Sequence, residues 1–129
     1  MHRFTVTTRN RREIIDLSPL LQEWLAASSH GGGWCQLFTP HTTVALTLAS
    51  LEPGAAEDIL AELTRLVPPR DFRHLPAEHV PAHIVSAVVG ASLSVPLVDG
   101  MLALGEFQKV VLIELDGPRD RTVLASVLG

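Results

Sequence analysis

Four strand-length apolar runs, "SLSVPLV", "MLAL", "KVVLIEL" and "TVLASVL", fill the stretch from residue 92 to residue 128, with only turns between them. Asp99–Gly100 separates the first two, and both residue types tolerate positive φ, which makes a tight hairpin. "GEFQ" and "DGPRDR" separate the others. The last third of the chain is therefore strand, and whatever precedes it must supply the layers that cover those strands.

The earlier segments do so by alternating periodicity. "HRFTVTT" places Phe4 and Val6 opposite Thr5 and Thr7, as in a half-buried strand. After the turn "RNRR", "EIIDL" reads as a short strand pairing back on the first. "SPLLQEWLAAS" reads as a helix with Ser18 as N-cap, Pro19 at its first position and Leu17, Leu20, Leu21, Trp24 and Leu25 at helical spacing. Gly31–Gly32–Gly33 ends it. The glycines precede a strand rather than a helix, the reverse of a phosphate loop, so they read as a flexible connector. "WCQLFTP" and "TTVALTLAS" make one strand bent at Pro40, or two. "EPGAAEDILAELTRLVP" is an amphipathic helix with acidic residues in its first turn. Pro68, Pro69, Pro76 and Pro81 punctuate a histidine-rich loop, and a short helix runs from Pro81 to Gly90. The expected fold is one α+β domain spanning 1–129, with antiparallel strands in two packed sheets, two main helices and a short third.

Hydrophobic residues make up 47% of the 129 residues, and the mean hydropathy is +0.27. That exceeds the needs of one small core and points to a closed, symmetric subunit interface. Ten basic and fourteen acidic residues leave a net charge of −4, which disfavours nucleic-acid binding. Arg9, Arg11 and Arg12 form a basic cluster without interleaved aromatics, as in a solvated turn. The lone Cys35 reads as a small buried residue. No signal-peptide pattern or membrane-length apolar run appears, so a cytoplasmic protein with no membrane partner is expected.

Candidate chemistry rests on histidines and arginines. On a strand, His41, Thr43, Ala45 and Thr47 share one face, and Thr42, Val44, Leu46 and Leu48 share the other. The first set suits the floor of a site and equally suits a sheet face open to water. His41, His74, His79 and His83 are candidates for a shared site, since neutral imidazole is a common zinc ligand. Arg119 and Arg121, two apart in "ELDGPRDR", suit phosphate or carboxylate oxygens, or else ion pairs with Glu114, Asp116 and Asp120.

Taken in order, "HTTVALTL", "FRH", "PAHIVSAVVGASLSVPLVDGMLALGEFQ" and "ELDGPRDR" resemble the YjbQ family along the whole chain. The resemblance implies a two-sheet sandwich that assembles as a homotrimer. It implies a pocket in which His41, His74 and His83 hold a divalent metal, zinc above all. It further implies roles for Gln108, Arg119 and Arg121 near bound anions, and a thiamine-phosphate synthase activity joining a pyrimidine pyrophosphate to a thiazole phosphate. The chain departs from the family pattern at Ala49–Ser50–Leu51, where Asn-Glu-Asn is usual, and at Glu106–Phe107–Gln108, where Thr-Trp-Gln is usual. Glu52 is then the surviving carboxylate near the former segment. The expectation is a metal-dependent enzyme acting on a phosphorylated small molecule, with His41, Glu52 and Gln108 catalytic and Thr43, Arg119 and Arg121 binding the ligand. The alternative is a non-catalytic trimeric module that binds a phosphorylated ligand or a partner protein at a degenerate site.

Overall fold

A computed structural model describes residues 1–28, 31–74 and 76–129; of the proline-rich loop, Leu75 lies outside them. In chain order the elements are β1 (His2–Thr7), β2 (Glu13–Asp16), α1 (Ser18–Ala26), β3 (Trp34–Phe38), β4 (Val44–Ala49), α2 (Ala55–Leu66), a 3-10 turn (Ala77–His79), α3 (Val80–Val89), β5 (Ser92–Val98), β6 (Met101–Leu102), β7 (Lys109–Glu114) and β8 (Asp120–Leu128). One sheet has the order β1-β8-β3-β5-β6 and the other β2-β7-β4. Every pairing is antiparallel.

The expected α+β sandwich is present. Its core lies between the sheets: Phe4, Val6, Leu37, Val95 and Val123 from the larger sheet meet Val44, Leu46, Val110 and Leu112 from the smaller. Leu17, Leu21 and Leu25 of α1 join the same cluster. On the other face of the smaller sheet, Ala45, Val111, Ile113 and Leu115 pack with Ala82 and Val85 of α3. β7 is thus buried on both faces, which is why it reads as an unbroken apolar run rather than an alternating one. Asp99 and Gly100 take the positive φ values, 51° and 79°, that their hairpin requires.

Four local expectations are corrected. β2 pairs with β7, residue for residue from Glu13↔Glu114 to Asp16↔Val111, and not with β1; the five residues between β1 and β2 carry the chain from one sheet to the other. Ser18 does not cap α1. Its hydroxyl accepts from Val110 N–H at 2.9 Å, and its own N–H donates to Asp16 Oδ1 at 2.8 Å. His41, Thr42 and Thr43 precede β4, with Thr42 exposed; Ala45 lies buried beneath α3, so of the expected polar strand face only His41 and Thr43 line a pocket.

The three glycines are not a slack connector. Gly31 C=O accepts from Gly100 N–H at 2.9 Å, and Gly33 C=O from Leu97 N–H at 2.8 Å. Gly33 has φ of 101°, and a Cβ there would lie 2.3 Å from the Leu128 carbonyl oxygen, whereas Gly31 and Gly32 have nothing within 4 Å. Gly33→Ala is therefore expected to cost more than ~2 kcal/mol, combining left-handed strain with a backbone clash. Gly32→Ala should stay within about 0.5 kcal/mol of the parent. Urea melts of the two variants check this, and equal midpoints would contradict it.

Candidate functional site

Three connections pass between the sheets at the same end of the sandwich: residues 8–12 from β1 to β2, 39–43 from β3 to β4, and 115–119 from β7 to β8. Their side chains converge there. A pocket of about 390 Å³ is walled by His41, Thr43, His74, His79, His83, Asp116, Arg119 and Arg121, among others. A second basin of about 390 Å³ shares His41, Thr42 and His83 with it and runs on past Ala87 and Gly90.

Beneath the pocket lies a buried ion pair. Glu114, at the end of the apolar run of β7, is 0% exposed, and Arg121, the second residue of β8, is 2% exposed. Arg121 Nε donates to Glu114 Oε2 at 2.8 Å, and Nη2 donates to Oε1 at 2.5 Å and to Thr43 Oγ1 at 2.8 Å. The Thr8 hydroxyl and Asp116 N–H complete the carboxylate's shell at 2.9 and 3.0 Å. Burial by itself would raise the Glu114 carboxyl; hydrogen bonds from Arg121, Asp116 and Thr8 outweigh it and hold the group below the ordinary carboxylate range. Gly117 lets the turn close over this centre. A Cβ there would lie 2.5 Å from the Asn10 carbonyl oxygen and 2.9 Å from the Glu114 carboxyl carbon.

Arg121 Nη1 has no protein partner among the described residues, in which no buried side-chain N or O goes unpaired. What little of Arg121 is accessible thus includes Nη1, at the pocket wall. Thr43 holds the guanidinium in place. Arg119 is half exposed; its Nε donates to Asp116 C=O at 2.8 Å and its Nη2 to Asp116 Oδ2 at 3.1 Å. The ion-pair alternative thus describes both arginines, and Arg121 additionally keeps a donor for a ligand.

His41 Nε2 accepts from Thr122 N–H at 3.0 Å. Desolvation lowers its pKa, Arg121 adds to the effect, and Glu114 opposes it. The ring is therefore neutral, with its proton on Nδ1. His74 and His83 lie edge to face with ring centres 5.2 Å apart. His79, a candidate for the shared site but outside the metal set that the resemblance implies, lines the same pocket, and its Nδ1 donates to Asp116 Oδ2 at 2.9 Å. Neither His79 nor Asp116 stood out from sequence as a functional pair. The 37 residues between them conceal the contact, and only the crowding of both within charged, turn-rich segments hinted at it.

The implied metal set fits in part. Two imidazoles on one tetrahedral ion, each at ~2.1 Å, place their ring centres about 5 Å apart, as His74 and His83 do. His41 does not fit as the third ligand, because an imidazole whose Nε2 accepts an amide proton carries its own proton on the remaining nitrogen. Among the described residues, no three His, Cys, Asp or Glu groups are placed to hold an ion. Glu52 and Gln108 are also corrected as partners of these histidines within one chain. They flank the far end of the β4–β7 pair, where Ala49 meets Lys109, five residues from the Val44↔Glu114 end, or about 17 Å at ~3.3 Å per residue. Glu52 bonds Ser50, and Gln108 Oε1 accepts from Gly105 N–H. Cys35 is buried, and desolvation pushes its thiol up to about 11, which leaves it inert.

Two outcomes follow for stability. Glu114→Gln or Arg121→Met alone should cost ~3–5 kcal/mol by stranding a buried charge, and the double variant should cost less than either single one. Additive losses in denaturant melts would contradict the pairing. Because the folded chain disfavours protonated His41, its contribution is complete above about pH 6.5, the ordinary imidazole value, and is lost as pH falls below it. Thermal melts from pH 8 to pH 5 should therefore show His41→Gln, whose amide oxygen can accept from Thr122 without titrating, losing less stability than the parent. Parallel curves would contradict this.

Comparison with known proteins agrees with this architecture. The family model described as UPF0047 protein YjbQ-like matches residues 2–129. A UPF0047 protein of Archaeoglobus fulgidus is 36% identical over 126 residues, covering 96% of this chain and 98% of that one. The Bacillus subtilis UPF0047 protein YugU is 31% identical, with 96% of each chain covered. Among solved structures, a YjbQ/UPF0047 family protein of Clostridium acetobutylicum superposes with a TM-score of 0.93 at 30% identity, covering 99% of this chain and all of that one. A protein of Aeropyrum pernix gives 0.92 at 34% identity, with 99% and 97% covered. With motifs, sheet order and full-length similarity in agreement, the chain belongs to the YjbQ-like UPF0047 family.

Proposed function

We propose that the pocket binds the phosphate end of a small molecule and acts on that molecule through the surrounding imidazoles. The observation that carries this is the accessible Nη1 of an otherwise buried Arg121 anchored by three hydrogen bonds. A guanidinium fixed on one side, with an unpaired donor left at the pocket wall, is a preorganised donor for a phosphate oxygen. His41 Nδ1–H and the Arg119 guanidinium add donors on the same wall. The thiamine-phosphate synthase activity implied by the resemblance falls within this class, since both of its reactants carry phosphate. Glu52 and Gln108 take no part within one chain, and Thr43 acts by positioning Arg121.

The homotrimer belongs to the same reading. Trp34 and Phe38 on β3, Val98 on β5 and Leu128 on β8 are each about half exposed, and a second copy covering this apolar surface would account for the composition. The test of ligand binding uses inorganic phosphate. Phosphate at 100 times its Kd should stabilise the protein by about 2.7 kcal/mol. Arg119→Ala should weaken the effect several-fold, and Lys109→Ala, at the far end of the sheet, should leave it unchanged. Absence of stabilisation at tens of millimolar phosphate would contradict the proposal.

A divalent ion on His74 and His83 is the second reading, favoured by their 5.2 Å spacing. Such an ion would polarise a phosphate oxygen. In zinc titrations followed by calorimetry, His74→Ala should abolish binding and His41→Gln should preserve it. The reverse pattern would restore His41 as a ligand.

A further inference from the structure

We infer that His79 is the proton acceptor of this pocket, positioned by Asp116 and Arg119, with His41 as a hydrogen-bond donor on the same wall. The inference deepens the proposed function and rests on the pocket being a small-molecule site.

Two imidazoles on one wall are fixed in opposite senses by their second partners. Thr122 N–H occupies His41 Nε2 at 3.0 Å and leaves a proton on Nδ1. The Asp116 carboxylate can only accept, so the His79 nitrogen 2.9 Å from it, Nδ1, is the protonated one. His79 Nε2 is then a bare lone pair. It has no protein partner among the described residues and so is accessible, on a ring that lines the pocket.

Asp116 is itself held rigid. Its N–H donates to Glu114 Oε1 at 3.0 Å, and its Oδ2 also accepts from Arg119 Nη2 at 3.1 Å. It is 8% exposed. A carboxylate held this way fixes both the ring's tautomer and its orientation, and it stabilises the imidazolium that forms when the ring takes a proton. Among the described residues, His74 and His83 make no such hydrogen bond that would fix a tautomer. Arg121 is balanced by Glu114, whereas Asp116 shares one carboxylate oxygen between Arg119 and the His79 ring.

The step balances simply. An O–H of water or of a substrate hydroxyl breaks, its proton bonds to His79 Nε2, and the electron pair stays on the oxygen, which becomes the nucleophile. As that oxygen bonds to the phosphorus of a bound phosphate ester, the ester P–O bond breaks and the leaving oxygen takes the proton from His79 Nε2, restoring the neutral ring; Asp116 stabilises the imidazolium in between.

Long-range nitrogen NMR of the imidazoles in the full chain tests this. His79 should appear as the Nδ1–H tautomer. In Asp116→Asn the side-chain amide can donate to Nδ1 and should convert the ring to the Nε2–H tautomer. Diethyl pyrocarbonate, which attacks the bare nitrogen, should modify His79 faster than His74 or His83, should slow at least tenfold at His79 in Asp116→Asn, and should be blocked by inorganic phosphate. An Nε2–H tautomer in the parent, or a His79 no more reactive than its neighbours, overturns the inference even where phosphate binds; these readouts need only the parent protein, should the variant fail to fold. Bound phosphate that leaves His79 unprotected overturns it too, because the ring is then out of a ligand's reach. Failure of phosphate to bind at all defeats the underlying reading and removes the role with it.

Discussion

The Glu114–Arg121 pair is the interaction on which the rest of this end of the molecule depends. A carboxylate with no solvent exposure at the end of a core strand is tolerable only with a full set of donors. Here the donors come from Thr8 at the β1–β2 crossing and from Asp116 and Arg121 at the β7–β8 crossing, while Thr43 at the β3–β4 crossing bonds Arg121 in turn. Each segment lies where the chain leaves one sheet or enters the other. Satisfying the buried pair thus pins all three crossings, and with them the side chains that line the pocket.

Division of labour among the imidazoles follows from that frame. His41 follows β3 and reaches across to the Thr122 backbone of β8, and His79 sits where the 3-10 turn meets α3, against Asp116. Neither ring chooses its protonation alone. A backbone amide makes one a donor, and a carboxylate makes the other an acceptor. A site holding both offers a ligand one hydrogen-bond donor and one acceptor on the same wall.

Much of the fold was legible from the chain. Strand-length runs, the Asp99–Gly100 hairpin and the amphipathic α2 are local signals that the fold keeps, whereas Ser18 reads as a cap locally but is claimed by Val110 of β7. Which sheet a strand joins is not local. The pattern of β2 is the same whether it meets β1 or β7, and only the buried faces of β7 decide between them. The site divided along the same line. His41, Arg119 and Arg121 sit in ordered motifs and converge as expected, whereas Glu52 and Gln108 sit near site motifs in sequence but at the wrong end of the β4–β7 ladder. Gly33 and Gly117 read as loop residues, yet each marks a backbone approach that admits no Cβ.

The central claim is that a buried ion pair presents one face of Arg121 to a phosphate. A crystal structure of the protein with tungstate, a heavy and unambiguous oxyanion, tests this most directly. The account predicts tungstate oxygens within hydrogen-bond distance of Arg121 Nη1 and His41 Nδ1, with Arg121 still paired to Glu114. A pocket that stays empty under saturating tungstate, or an Arg121 swung away from Glu114 to reach the ion, would contradict it.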